Sequence, residues 1–244
     1  MLALSILDHC HTLFIEKPIG LSEDEAVAII AKTQEVGGRL LVGHILRFHE
    51  AIRQAMEQIS AGTIGELQRI EFNRLTTRPP PDYPNIFEAM AIHGIDTACY
   101  CFGELEPSRL TVENVTLDDN LNPTNASISI EFPGMKEALV DVGWAGKQEN
   151  RQINYFGSKG KISVETGQTA KLMVSSGEGV RELVINQAPL PLLREWQFLY
   201  DIHSSDTGES IYPQPGSIIR SVKWVESANM QIQTTSTELN ERIE

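Results

Sequence analysis

Apolar and polar positions alternate with two different rhythms along the chain, and the rhythm changes partway through. Leu13-Phe14-Ile15 is a short apolar run that stops at Glu16-Lys17-Pro18, because proline fixes φ and has no amide donor for a strand ladder. Ser22 stands three residues before Glu25, the spacing of a capping box, and Glu23 and Asp24 add negative charge to the first helical turn. Ala26, Val27, Ile29, Ile30, Thr33 and Val36 then recur at helical spacing until Gly37-Gly38 supplies a stop. Leu40-Leu41-Val42 is apolar throughout, the pattern of a strand buried on both faces. Strand, capped helix and second buried strand predict a βαβ unit and hence a parallel sheet. Two strands and one helix leave a sheet edge and an apolar face open, so this unit is not a whole domain.

Phe48 to Ala61 reads as an amphipathic helix with Ile52, Ala55, Met56 and Ile59 on one side. Gly62-Thr63-Ile64-Gly65 turns into a strand over Leu67 to Leu75, the proline-rich stretch Arg78 to Pro84 predicts a stiff loop, and Asn85 to Phe102 is helical again. From there the period is two: Leu110 and Val112; Ile128, Ile130 and Phe132; Ala138, Val140, Val142 and Trp144; Ile153 and Tyr155; Ile162 and Val164; Leu172 and Val174; Leu183 and Ile185. Turn residues such as Asn122-Pro123, Pro133-Gly134 and Gly157-Ser158-Lys159-Gly160 separate these runs, which predicts a meander of short antiparallel strands. Leu190 to Ile202 and Ser217 to Ile232 predict closing helices. The expected fold is thus α/β plus α+β. A small parallel piece over residues 1–44 precedes a piece over residues 45–244 built on a large, mainly antiparallel open sheet.

Charge narrows the range of functions. Twenty Lys and Arg face 33 Asp and Glu, a formal net charge of −13, which argues against sequence-independent nucleic-acid binding and against docking on an anionic membrane. No apolar run approaches the ~20 residues of a membrane span. The opening segment lacks the basic region and cleavage site of a signal peptide, and three cysteines (Cys10, Cys99 and Cys101) do not make a disulfide framework. A cytoplasmic protein is expected. His9, Cys10 and His11 do not share a helix face, so no metal site is expected there. Neither Gly-x-Ser-x-Gly nor a P-loop occurs.

Lys17 is the first chemical candidate, since the carboxyl ends of parallel strands face the crevice where open α/β sheets bind ligands. His93 and Asp96 lie three apart on a predicted helix and so share a face; an imidazole there can relay a proton. His44 and Arg47 follow the second buried strand. Arg47 either holds a substrate carboxylate or phosphate or pairs with a structural acid. Arg74, Trp144 and Tyr155 lie on the large sheet, where they either touch a substrate or, the first reading, serve as packing or interface residues.

Several of these segments together resemble one family. Phe14-Ile15-Glu16-Lys17-Pro18-Ile19-Gly20, Val42-Gly43-His44-Ile45-Leu46-Arg47-Phe48, Ile64-Gly65-Glu66-Leu67, Ile92-His93-Gly94-Ile95-Asp96 and Phe156-Gly157-Ser158-Lys159-Gly160 occur in the order found in the Gfo/Idh/MocA oxidoreductases. The resemblance implies an NAD(P)-dependent dehydrogenase acting on a sugar, cyclitol or related small-molecule carbonyl or hydroxyl substrate. Residues 1–44 would then be the end of a Rossmann dinucleotide-binding domain, and residues 45–244 a substrate-binding and oligomerisation domain. It makes Lys17 and His93 the proton-transfer pair, with Lys17, His93, Arg47 and Asp96 against substrate. It places Glu16, Lys17, Pro18 and His44 at NAD or NADP, with the Lys17–Pro18 peptide cis. It also implies a homo-oligomer, a dimer or tetramer through the large sheet. Two departures stand out. No G-x-G-x-x-G occurs, so the pyrophosphate loop is not in this sequence. Ala89 occupies the position four before the histidine where inositol-dehydrogenase-like members carry Asp, with Glu88 rotated about 100° away. The alternative expectation is a non-catalytic sugar-binding or oligomerisation module.

Overall fold

The structure is a computed structural model that describes residues 2–167, 170–186, 189–204 and 210–241, with side chains of the last helix described up to Ile232. A short helix α1 (Leu2–Leu7) leads into strand β1 (Thr12–Glu16), helix α2 (Glu23–Glu35) and strand β2 (Arg39–Gly43). Ser22 caps α2 by accepting from the Glu25 amide at 3.2 Å, and the Glu25 carboxylate reaches back to the Leu21 amide at 2.8 Å. One orphan amide of the first turn is satisfied in this way, and the residue before the cap is tied back to the helix. β1 and β2 pair in parallel, Leu13 opposite Leu40 and Ile15 opposite Val42.

A 3₁₀ turn (Ile45–Phe48) carries the chain out of this layer into α3 (Glu50–Ser60) and β3 (Leu67–Leu75). A π-helical turn (Phe87–Ala91) then opens α4 (Ile92–Cys101). Seven strands follow: β4 (Arg109–Leu117), β5 (Pro123–Phe132), β6 (Lys136–Gly143), β7 (Asn150–Gly157), β8 (Gly160–Glu165), β9 (Lys171–Ser176) and β10 (Gly179–Leu183). The chain ends through α5 (Pro191–Ser204), β11 (Ile211–Tyr212) and α6 (Pro215–Glu241).

The large sheet has the order β10-β9-β8-β7-β3-β6-β5-β4. Every pairing in it is antiparallel except β3 with β6. The alternation read from sequence is thus realised as a mainly antiparallel sheet, with β3 inserted between strands that follow it in the chain. Ile70, Phe72, Val140, Ile153 and Tyr155 point from it into a core shared with Ile92 and Ile95 of α4. Gly94 permits this close approach, because a Cβ there would lie 2.5 Å from a Val140 methyl.

The small layer differs from its sequence reading. β11 adds a third parallel strand beside β2, with Ile211 opposite Leu40, and Ile211, Ile218 and Val222 join the core formed by Ile29, Ile30 and Val42. Residues 1–44 therefore do not build this layer alone. A two-residue strand has no periodicity to read. α6 also runs past Ile232, to Glu241.

Candidate active site

β1 delivers its last residues to the end of the small sheet that faces α4. The Lys17–Pro18 peptide is cis, as the resemblance implied. Lys17 Nζ donates to the carbonyl oxygens of Glu88 at 3.1 Å and Ala89 at 2.7 Å. Both carbonyls lie in the π turn, where the widened helical ladder frees main-chain acceptors. Burial is the main cause that lowers the Lys17 pKa to about 8; nearby Arg74 lowers it further, while Glu16 and Glu88 oppose. The ammonium is thus held by carbonyl dipoles without a carboxylate partner.

His93, one helical turn on, is 6% exposed, and neither ring nitrogen has a hydrogen bond among the described residues. Burial pushes its pKa well below the usual imidazole value, and the charges of Lys17 and Arg74 add to the effect; Asp96 pulls the other way. The ring is neutral at physiological pH. The Glu88 carboxylate turns away from both groups and accepts from the Asn85 amide at 3.2 Å and from Asn229 Nδ2 at 3.3 Å. Ala89 contributes only its carbonyl, so the Asp–His–Lys relay that the sequence marked as incomplete has no substitute carboxylate here.

Asp96 and Arg47 are drawn elsewhere. Arg47 Nε donates to Asp96 Oδ2 at 2.9 Å, Nη2 to Oδ1 at 2.6 Å, and Nη1 to Glu104 Oε1 at 2.7 Å. Its guanidinium also lies 4.8 Å from the centre of the Tyr100 ring. Glu104 in turn accepts from Ser217 at 2.8 Å and from Arg220. His44, 2% exposed, brings Nδ1 to 3.3 Å from Asp96 Oδ2. Arg47 and His44 hold the Asp96 carboxyl well below the usual range against the cost of its burial. This places Arg47 and Asp96 in a buried ion-pair knot, with His44 against Asp96. The physical reason is charge matching: two nearly inaccessible ions satisfy each other. Of the two readings of Arg47, the pairing with a structural acid is the one the contacts match.

Two groups escaped the sequence reading, and a third, Arg74, was read first as a packing or interface residue. Glu195 on α5 is 1% exposed and neither carboxylate oxygen has a partner; burial, with Glu16 nearby, raises its pKa to about 7. His49 is buried with Nδ1 unpartnered, and burial lowers its pKa. Arg74 points from β3 in line with Phe72 and Ile70, and burial followed by Arg151 lowers its pKa to about 10. A cavity of about 340 Å³ opens beside His49 and Arg74, between β3, the 3₁₀ turn and the start of α5. Tyr155 is fully buried with its hydroxyl near Cys101 Sγ, a packing position.

A small parallel α/β layer joined to an α-helix-backed open sheet, with a lysine and a neutral histidine at their junction, defines a class of two-part α/β proteins. Residues 52–163 match the profile of the GFO/IDH/MocA C-terminal domain, and this segment belongs to the Gfo/Idh/MocA family. It is 35% identical over 185 residues to the scyllo-inositol 2-dehydrogenase (NAD(+)) of Bacillus subtilis, covering 68% of this chain and 52% of that one. It is 26% identical over 191 residues to the 2,7-anhydro-N-acetylneuraminate hydratase of Escherichia coli, covering 70% and 50%. The chain thus spans about half the length of these curated relatives. An oxidoreductase from Agrobacterium radiobacter, solved with NAD+, L-tartaric acid and magnesium, superposes with a TM-score of 0.77 at 20% identity, covering 95% of this chain and 74% of that one. No helix among the described residues is long and apolar enough to cross a membrane.

Proposed function

We propose that this chain is the substrate-handling part of an NAD(P)-dependent dehydrogenase of the Gfo/Idh/MocA type, with Lys17 and His93 moving the substrate proton. The observation that carries the reading is Lys17: a buried lysine with a pKa of about 8, held on two carbonyls with no counter-carboxylate, at the carboxyl end of a parallel strand. Such a lysine keeps a minor neutral fraction near physiological pH, far above that of an ordinary lysine, and changes protonation state at little cost. When bound, a nicotinamide supplies the hydride acceptor. The residues at the ends of β1 and β2 fit that reactive end of the cofactor, whereas the sequence holds no glycine loop for its pyrophosphate.

As the hydroxyl carbon gives up its hydride, the hydroxyl proton has to leave. Lys17 Nζ in its amine form accepts it, and the Glu88 and Ala89 carbonyls then stabilise the ammonium. His93, neutral and without a hydrogen bond of its own, orients the same hydroxyl through a ring nitrogen and relays the proton. In the reductive direction the roles reverse, with Lys17 as the acid.

Hydride transfer tests the reading. The chain is joined to a glycine-rich nucleotide-binding half and assayed for NADH or NADPH formation over a panel of cyclitols and sugars. Lys17→Ala is expected to lower kcat by about 100-fold or more. Turnover that survives this substitution unchanged would remove Lys17 from the chemistry.

A further inference from the structure

Arg74 is the most anomalous charge in the molecule. In the β3–β7 ladder its direct opposite is Arg151, and on its other side, in β6, stands Val142. Like charges directly opposed on neighbouring strands repel, and a half-buried guanidinium normally sits on a carboxylate. Glu149, the acid whose charge acts on Arg74, is already taken: it accepts from Arg151 Nε at 3.2 Å, Thr76 Oγ1 at 2.7 Å and the Thr77 amide at 3.0 Å. Among the described residues Arg74 has no hydrogen bond or ion pair.

The cavity of about 340 Å³ is bounded by Arg74, Arg151, Phe72, His49, Thr166 and Leu192. That volume is in the range of small-ligand sites. Its lining joins one uncompensated guanidinium to a buried histidine with a free ring nitrogen, over a phenyl face. Arg151 shares its charge with Glu149, so the cavity carries close to one net positive charge, in a chain whose formal net charge is −13. A positive focus in an acidic protein attracts an anion and steers it inward.

We propose that this cavity is a subsite for a substrate carboxylate, so that the preferred substrate is a sugar acid rather than a neutral sugar or cyclitol. A planar guanidinium matches a carboxylate through two parallel hydrogen bonds. A single uncompensated charge matches a monoanion better than a phosphate dianion. His49 and Thr166 are placed to hydrogen-bond ring hydroxyls, and Phe72 offers a face for ring C–H groups. The subsite's use in catalysis rests on the dehydrogenase reading, since Arg74 is close enough to lower the pKa of both Lys17 and His93. Its binding of the acid does not.

Titration calorimetry of the 244-residue chain, without cofactor, tests the subsite with sodium D-glucuronate, D-glucose and D-glucose 6-phosphate. D-glucuronate is expected to bind at least about tenfold more tightly than D-glucose. Arg74→Gln is expected to abolish that preference, Arg74→Lys to restore part of it, and Arg151→Gln to weaken it to a smaller extent. Equal affinity for D-glucuronate and D-glucose overturns the proposal, as does a preference that survives Arg74→Gln in a protein with wild-type unfolding. Tighter binding of D-glucose 6-phosphate than of D-glucuronate overturns it in favour of a phosphate site. Acid binding without any hydride transfer in the nucleotide-completed protein would leave the subsite standing and sink the dehydrogenase reading; turnover of neutral sugars with no acid preference would do the reverse.

Discussion

Two clusters of buried charge lie a few residues apart and follow opposite rules. In the knot around Asp96, every charge has a partner: Arg47 spans Asp96 and Glu104, and Glu104 ties in Ser217 and Arg220 from α6. Along the line Lys17, His93 and Arg74, no group has a countercharge in contact, and each has its pKa pulled toward the neutral form. The first cluster joins the 3₁₀ turn, α4 and α6 and fixes how the two layers meet. The second costs stability in the absence of a ligand and places adjustable protons and a free guanidinium beside a cavity. Paired charge builds the frame, and unpaired charge marks where a ligand is expected to complete the pairing.

The sharpest break of this contrast is Asp96→Ala. It leaves Arg47 buried with only the partly exposed Glu104, and orphaning one member of a buried pair costs about 3–5 kcal/mol. Chemical denaturation of the variant should show a loss of that order. A loss below about 1 kcal/mol would mean that the knot is no more than a surface ion pair. Lys17→Met tests the opposite cluster with the opposite sign. The folded pKa of about 8 lies below the ordinary lysine value of 10.5, so between those two pH values the unfolded chain binds more protons and stability rises with pH. Relative to Lys17→Met, the parent chain should gain roughly 3 kcal/mol as pH rises from 8 to 10.5, at about 1.4 kcal/mol per unit. A pH-independent difference between the two proteins would show that Lys17 is not desolvated.

The same contrast explains what sequence could reveal. Lys17 and His93 sit inside short motifs, at a strand end and on a predicted helix, which made them candidates, and the family resemblance supplied the roles proposed for them. The large sheet was legible because alternation persists through Ile128, Ile130 and Phe132 and through Ala138, Val140 and Val142. The company of Arg47 was not legible: Glu104 meets it, and Ser217 and Arg220 meet Glu104, only after α4 and α6 have packed, and no local period links positions so far apart. Arg74 did leave a signal. It continues the inward row of Ile70 and Phe72 at period two, so a strand reading alone turns a guanidinium toward the helices. β11 left none, because two residues cannot display a period. The position of β3 between β6 and β7 is likewise a matter of long-range pairing.

Glu195 gives the smallest and most discriminating test, since it belongs to neither cluster by sequence. It interrupts the apolar stretch of α5 with a carboxyl that is 1% exposed and has no hydrogen-bond partner. Its folded pKa of about 7 lies above the ordinary 4.5, so the folded state binds the extra proton in that window. The stability this proton supplies is complete below pH 4.5 and is lost as pH rises through 7. Glu195→Gln keeps the shape and removes the titration. It should match the parent chain in stability near pH 4 and exceed it by roughly 2 kcal/mol near pH 6, read as a difference in denaturation midpoints at constant slope. Because Glu16, at the end of β1, is the charged neighbour that adds to the shift, Glu16→Gln should shrink the Glu195→Gln gain. Such a result would place Glu195 with the unpaired cluster at Lys17. An undiminished gain would leave desolvation as its sole cause and Glu195 as a strained core residue, apart from the site.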